Sequence, residues 1–375
     1  MDKFISIGVN QGDAFYLERS GVKILVDGGR ARTGFPIQFS RTIVTDELDV
    51  VVCTHADADH INGLLGYFES GLKAKEVWLP GVWTSRLEDL IKNPLGFIIE
   101  LSNDIAEIGA FEKNNLEDLT DVDFLEQKKH PNQTDKSSLD VDQLFQAMEE
   151  AAHRTELFDI TNYYPFGFHY HFKSLTQYEL FIDAIDTAKK IKELAVLAYN
   201  AGAKIRWFEF NKDKAAYGGE IYLRPVNSQE IVRISPPLNA LMYLYVSKAN
   251  RESLVFYSTD NYGTTSVLFS ADSDFSFNQN IPNLSASSII TAPHHGSEHN
   301  QKAYTRLRTF IHDKTIFVRS DGKYKTRPGI TFKQLSCKKI CTLCNTLNSN
   351  KQDITFTTNK TGWTKKKGTS WCHCQ

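Results

Sequence analysis

Thr54-His55-Ala56-Asp57-Ala58-Asp59-His60 follows directly on the apolar run Leu48-Asp49-Val50-Val51-Val52-Cys53. Four ligand-capable side chains stand within six positions, behind a segment that reads as a buried strand. Alternating residues of an extended segment point to one side, so His55, Asp57 and Asp59 can converge on one point, and His60 can open the following helix. Imidazole and carboxylate together suit zinc, manganese or iron. The bland alternative is a His/Asp-rich surface loop, and the position directly behind a strand argues against it.

Working outward, residues 4–9 and 14–26 read as strands, joined by the turn Asn10-Gln11-Gly12-Asp13 and folded back at Arg19-Ser20-Gly21. Asp27-Gly28-Gly29 ends that hairpin, and residues 47–53 and 76–80 are further strands. Residues 84–203 carry helical periodicity, with the clearest helix over 181–201 and Gly202 as its stop, and read as a helical insertion. Residues 204–208 and 220–223 return to strand character. After residue 231 the pattern is β again, with strands expected over 240–246, 254–258, 267–272, 288–293 and 315–318. Three of these end in chemistry: Asp272, then His294-His295-Gly296-Ser297, then Arg319-Ser320-Asp321-Gly322-Lys323. One sheet can bring such strand ends together.

The chain has 375 residues, 41% hydrophobic content and a net charge of −2, enough for a large core. No stretch of about 18 apolar residues occurs, so no membrane partner is expected. The start, Met1-Asp2-Lys3-Phe4-Ile5, lacks a signal-peptide pattern, which predicts a cytoplasmic protein. Its six cysteines are then thiols or metal ligands before they are disulfides. Charge is uneven: residues 331–375 hold eight lysines against one acid, Asp353, while residues 100–157 hold fifteen acids and five bases. Two differently solvated faces explain this, and a basic tail that touches nucleic acid is the sharper alternative.

In order along the chain, Asn10-Gln11-Gly12-Asp13-Ala14, Asp27-Gly28-Gly29, His55-x-Asp57-x-Asp59-His60-x-x-Gly63, Phe269-Ser270-Ala271-Asp272 and Pro293-His294-His295-Gly296-Ser297 resemble the motifs of the metallo-β-lactamase fold, in particular the ComEC-like hydrolase branch. Arg319-Ser320-Asp321-Gly322-Lys323-Tyr324 with Arg327-Pro328 follows the layout of that branch's late segment, with Arg327 where a histidine is common. The resemblance covers residues 1–83 and about 231–335. Asp57 stands where the wider superfamily has a second histidine, which argues for the ComEC-like branch and shifts the metal toward manganese or iron as well as zinc.

The resemblance implies an α/β fold of the αββα sandwich type over residues 1–335, with the 84–203 insertion inside it. It implies two divalent ions and a binuclear, metal-dependent hydrolase, most readily a phosphodiesterase or nuclease. His55 and Asp57 are expected at the first metal, Asp59 and His60 at the second, and Asp272 between them. Either His294 or His295 completes the coordination, and the other protonates a leaving group or stabilises the transition state. Asp59, His294 and His295 are the expected catalytic residues. Asp13 is read as a turn carboxylate and Asp27 as an orienting group behind the ligands. Lys323 and Arg327, with Lys325, are candidates for phosphate oxygens, and a solvated basic turn explains them equally well. His169 and His171 are read as packing residues of the insertion. Competing functions are hydrolysis of a small ester, thioester or cyclic nucleotide, and a metal-bound scaffold or sensor without catalysis.

Residues 336–375 read as a separate Cys-rich module. Cys337-x3-Cys341-x2-Cys344 is followed by a hairpin pattern and then Cys372-His373-Cys374. Cys341, Cys344, Cys372 and Cys374 can close a tetrahedral structural zinc site of zinc-ribbon type, and Cys337 or His373 can replace one of them. Free thiols are the bland reading. Lys365, Lys366 and Lys367 make this segment a candidate nucleic-acid contact, and Cys53 reads as a buried strand residue.

Overall fold

In the computed structural model of the chain, the residues described are 1–107, 141–152, 172–322, 327–343, 352–366 and 371–372. They form a mixed α/β structure with two sheets. The strands are β1 (Lys3–Ser6), β2 (Phe15–Arg19), β3 (Val22–Val26), β4 (Glu47–Val52), β5 (Lys73–Pro80), β6 (Lys204–Phe210), β7 (Arg224–Pro225), β8 (Ser228–Ile231), β9 (Phe256–Thr259), β10 (Thr265–Phe269), β11 (Ser287–Thr291), β12 (Ile316–Arg319), β13 (Lys338–Cys341), β14 (Ile354–Asn359) and β15 (Gly362–Lys365). The larger sheet runs β15-β14-β1-β2-β3-β4-β5-β6-β8, and the smaller runs β13-β12-β11-β10-β9-β7. Parallel pairing joins β3 to β6 in the first and β10 to β13 in the second. The Ser20-Gly21 turn between β2 and β3 has φ of 53° and 82°, the left-handed pair that a tight hairpin requires.

Helices α1 (Gly34–Thr42), α2 (Ala58–Glu69), α3 (Leu87–Lys92), α4 (Pro94–Glu107), α5 (Val141–Ala152), α6 (Leu175–Asn200) and α7 (Ala240–Lys248) precede the short α8 (Gln301–Leu307) and α9 (Ile330–Lys333). The layers follow from the strand period of two. Val50 and Val52 enter one apolar core and Val51 another, and Phe4 and Ile5 divide in the same way. In the second sheet Val267, Phe269, Ile289 and Val318 join Val50 and Val52, while Leu268, Ile290 and Phe317 face Ala303, Tyr304 and Phe332. The two sheets therefore share one core, and helices cover both remaining faces. The expected α/β class holds.

Several local expectations are corrected. Residues 240–246, expected as a strand, are the helix α7. Asn239 accepts the Met242 N–H at 2.7 Å and caps it, and Leu241, Tyr243, Leu244 and Tyr245 are all buried. A helix covered on most sides shows no amphipathic period, so an aromatic-rich run mimics a strand. Residues 220–223 close a turn, Glu220 N–H to Leu223 O at 2.9 Å, instead of a strand. The tail was set apart as its own module, but its strands lie in both sheets: β13 pairs with β12, and β14 pairs with β1 in the register Lys3↔Thr357 to Ser6↔Ile354. Ile340, Ile354, Phe356 and Trp363 belong to the core between the sheets. Among the described residues, no helix is long and apolar enough to cross a membrane.

Candidate metal centre

The site residues follow the carboxyl ends of strands, where parallel pairing leaves an open rim. Asp27 follows β3, His55 follows β4, Asp272 follows β10, and His294 and His295 follow β11. Asp59 and His60 lie in the first turn of α2. That helix is seated against the end of β3 by two glycines: Gly28 N–H meets His60 O at 2.9 Å, and a Cβ on Gly63 would lie 1.8 Å from Gly28 O. Asp27, Ala271, His294 and His295 all have left-handed backbone, with φ of 58°, 45°, 47° and 53°. Such conformations cost about 1–3 kcal/mol each and gather where function holds the chain in place.

Three histidines have their outer nitrogen engaged. His60 Nδ1 meets Asp27 Oδ2 at 2.8 Å, and His295 Nδ1 meets Asp13 Oδ1 at 3.1 Å and Ser320 O at 3.2 Å. His55 Nδ1 meets Thr54 Oγ1 at 3.0 Å, and that hydroxyl donates to Asp27 Oδ2 at 2.8 Å. Each partner accepts, so each Nδ1 carries a proton and each Nε2 faces the interior, where it offers a lone pair once any proton it holds is displaced. The Nε2 atoms of His55, His60 and His295, with Asp272 Oδ1 and Asp13 Oδ2, are all buried without a hydrogen-bond partner. Three of them lie close together: His60 Nε2 is 3.2 Å and His295 Nε2 3.6 Å from Asp272 Oδ1, and His295 Nε2 is also 3.4 Å from Asp59 Oδ2. Groups able to hold a metal ion are His55–His60–Asp272, Asp59–His60–His295 and Asp13–Asp272–His295. Unpaired buried polar atoms are costly, and cations held by these groups would offset that cost.

The electrostatics agree. Burial disfavours a charged His60, but Asp272 and Asp27 overcome it and raise its pKa well above the ordinary value. His295 is raised in the same way, against burial, by Asp272 and Asp13. Burial favours a protonated Asp272, yet His295, His60 and His294 hold it well below the carboxylate range. Burial pushes Asp13 up to about 6 and lowers His55 to about 4.

Not every expected residue joins the cluster. Asp57 spends its Oδ1 on the Ala58 N–H at 2.6 Å as the cap of α2 and enters none of the three groups. His294 stands at the rim with its side chain 24% exposed, 3.8 Å from Asp272 Oδ2. His295 is the member placed in the interior, fully buried. Arg327 pairs with Asp321 at 3.2 Å beside this rim. Lys323 and Lys325, and the insertion's His169 and His171, lie outside the described residues. Asp13 is the residue that sequence reading placed too far away: read as a turn carboxylate, it is buried against His295. The Gln11-Gly12-Asp13 motif was the available signal. In the tail, Cys341 is buried at the end of β13, and the Cys372 N–H donates to Lys339 O at 2.8 Å on that strand. Cys337 precedes it, its thiol pushed up by burial. Cys344, His373 and Cys374 lie outside the described residues.

No protein-family model matches the chain, and no curated protein matches it.

Proposed function

We propose that the protein is a metal-dependent hydrolase of the metallo-β-lactamase type, ComEC-like branch, that cleaves a phosphodiester bond. The observation that carries the reading is the gathering of three overlapping groups of buried His and Asp ligands at the strand ends, with several of their inward atoms lacking a hydrogen-bond partner. The αββα layering and the ordered motifs support the family. Two divalent ions, zinc or manganese, would supply Lewis acidity and lower the pKa of water to near neutrality. His55, His60, His295, Asp59 and Asp272 would hold them. Asp27, through Thr54, and Asp13 fix the histidine tautomers. His294, on the rim 3.8 Å from Asp272, is the candidate to hand a proton to the leaving oxygen. Arg327 at the same rim offers donors to phosphate oxygens. The tail thiols would hold a separate structural zinc, and its lysines make nucleic acid the proposed partner.

The test is elemental analysis of the purified chain combined with cleavage assays. Bis(p-nitrophenyl) phosphate and single- and double-stranded DNA and RNA are each supplied with manganese or zinc. Metal beyond one tail zinc, retained by the wild type and lost with Asp272→Ala, and metal-dependent cleavage are expected. Bound metal without cleavage of any phosphodiester would overturn the substrate reading and leave the small-ester alternative. Absence of bound metal would overturn the whole.

A further inference from the structure

Beside the metal centre, the carboxyl ends of β4, β5 and β6 lie next to one another in the parallel part of the larger sheet. A cavity of about 150 Å³ opens over them, and His55 forms part of its wall. A cavity of about that volume accepts a single aromatic ring. Phe210, Leu238, Val246 and Leu254 are among its apolar lining. Its polar side chains are the carboxylates of Glu209 and Glu252, the hydroxyls of Ser247 and Thr54 and the His55 ring. Ser247 is 1% exposed, and its Oγ has no hydrogen-bond partner. The described wall contains no lysine or arginine, although Arg251 outside it reaches Glu252 at 3.3 Å.

An anionic group entering this cavity would lose its water and meet two carboxylates. A group that brings N–H donors would satisfy the Ser247 hydroxyl and form charge-assisted bonds. We infer that this cavity is the specificity pocket of the site: it takes a small planar group rich in N–H donors while the scissile bond lies over the metal centre. An amidinium and the amino edge of a heterocyclic base share this chemistry. The inference rests on the hydrolase reading only for the position of the scissile bond.

Binding of ring-sized probes to the full-length protein tests it by ligand-observed NMR and calorimetry. Benzamidine, neutral 2-aminopyrimidine, benzyl alcohol and benzoate differ mainly in the group they present. Benzamidine or 2-aminopyrimidine should bind at least about tenfold more tightly than benzyl alcohol, as one bond to a charged acceptor gives. Whichever binds more tightly separates a cation from a base edge. Glu252→Gln should weaken the preferred probe about tenfold by the same reasoning, and Val246→Phe should fill the cavity and abolish binding. Ser247→Ala, which removes one unpartnered oxygen, is the milder variant if Glu252→Gln does not fold. Benzoate binding as well as benzamidine, or binding indifferent to these variants, overturns the proposal. Measurements after chelation keep the two readings apart, because the cavity's selectivity needs no metal. With manganese added, the bound probe's ring protons should relax faster. Selective binding without that enhancement would sustain the pocket and refute its place beside a metal site.

Discussion

Replacing Asp27 with asparagine probes the centre's positioning logic without changing its volume. The wild-type carboxylate accepts from Thr54 N–H at 2.9 Å, from the Thr54 hydroxyl at 2.8 Å and from His60 Nδ1 at 2.8 Å. Asparagine keeps one oxygen, which the Thr54 N–H requires, so its amide nitrogen takes the place of Oδ2. That nitrogen donates where the carboxylate accepted. His60 must then present a bare Nδ1 and move its proton to Nε2, the atom 3.2 Å from Asp272. The Thr54 hydroxyl, deprived of its acceptor, turns to donate to His55 Nδ1, and His55 is protonated at Nε2 as well. Flipping the amide only moves the conflict to the Thr54 N–H. Loss of one such orienting partner costs about 10–100-fold in metal affinity. Two histidines depend on Asp27, so the expectation is the upper end, about 100-fold or near 2.7 kcal/mol. Chelator competition with zinc and manganese, on wild type and variant at neutral pH, reads this directly, and circular dichroism confirms the fold. Thr54→Val breaks only the His55 arm and should lose about tenfold. An Asp27→Asn protein that folds and binds metal within about twofold of wild type would refute the tautomer argument.

Metal binding should release protons and strengthen as pH rises through neutrality. His60 and His295, raised above their ordinary pKa in the metal-free protein, carry protons that the ion must displace. Calorimetry in buffers of different ionisation enthalpy checks this, and binding at pH 7 without net proton release would refute it. A chain ending at Gln334 should be insoluble or unfolded. It loses β13, β14 and β15 and uncovers the edge of β1, and Phe356 and Ile354 alone contribute about 1.5–3 kcal/mol each, a large share of a stability of about 5–15 kcal/mol. A soluble truncation that melts like wild type would contradict the interleaved tail. Gly63→Ala should cost several kcal/mol, on the order of the largest single-site effects, because its Cβ falls 1.8 Å from the Gly28 carbonyl oxygen. Denaturant unfolding measures it, and a wild-type midpoint would show that α2 is free to shift. Cys341→Ser should remove one zinc per chain while leaving the hydrolase site loaded, and unchanged zinc content would discard the structural-zinc proposal.

The buried His/Asp cluster was legible because its pieces are local. His55, Asp59 and His60 sit in one strand-to-helix turn, and Asp272 and His294-His295 each close an apolar run. Period and spacing expose such patterns. Asp13 was not legible as part of the site. Nothing within its turn shows that His295, 282 positions away, packs against it at 3.1 Å. The choice between His294 and His295 was likewise closed to sequence, because adjacent residues of one type differ only in where the turn points them. Asp57 looked like a ligand by alternation, but its Oδ1 satisfies the start of α2 instead, an outcome that depends on where the helix begins.

By itself, the sequence determined the α/β class, the strand ends that carry ligands and the chemistry those ligands favour, since hydrophobic period and residue type act over a few neighbours. The tertiary structure alone decided that the tail is woven into both sheets, that 240–248 is a helix and that Asp13 packs against His295. It also decided that His55 forms part of the wall of a cavity that holds Glu209 and Glu252. Each of these depends on contacts between segments far apart in the chain, and burial, not local preference, settles them.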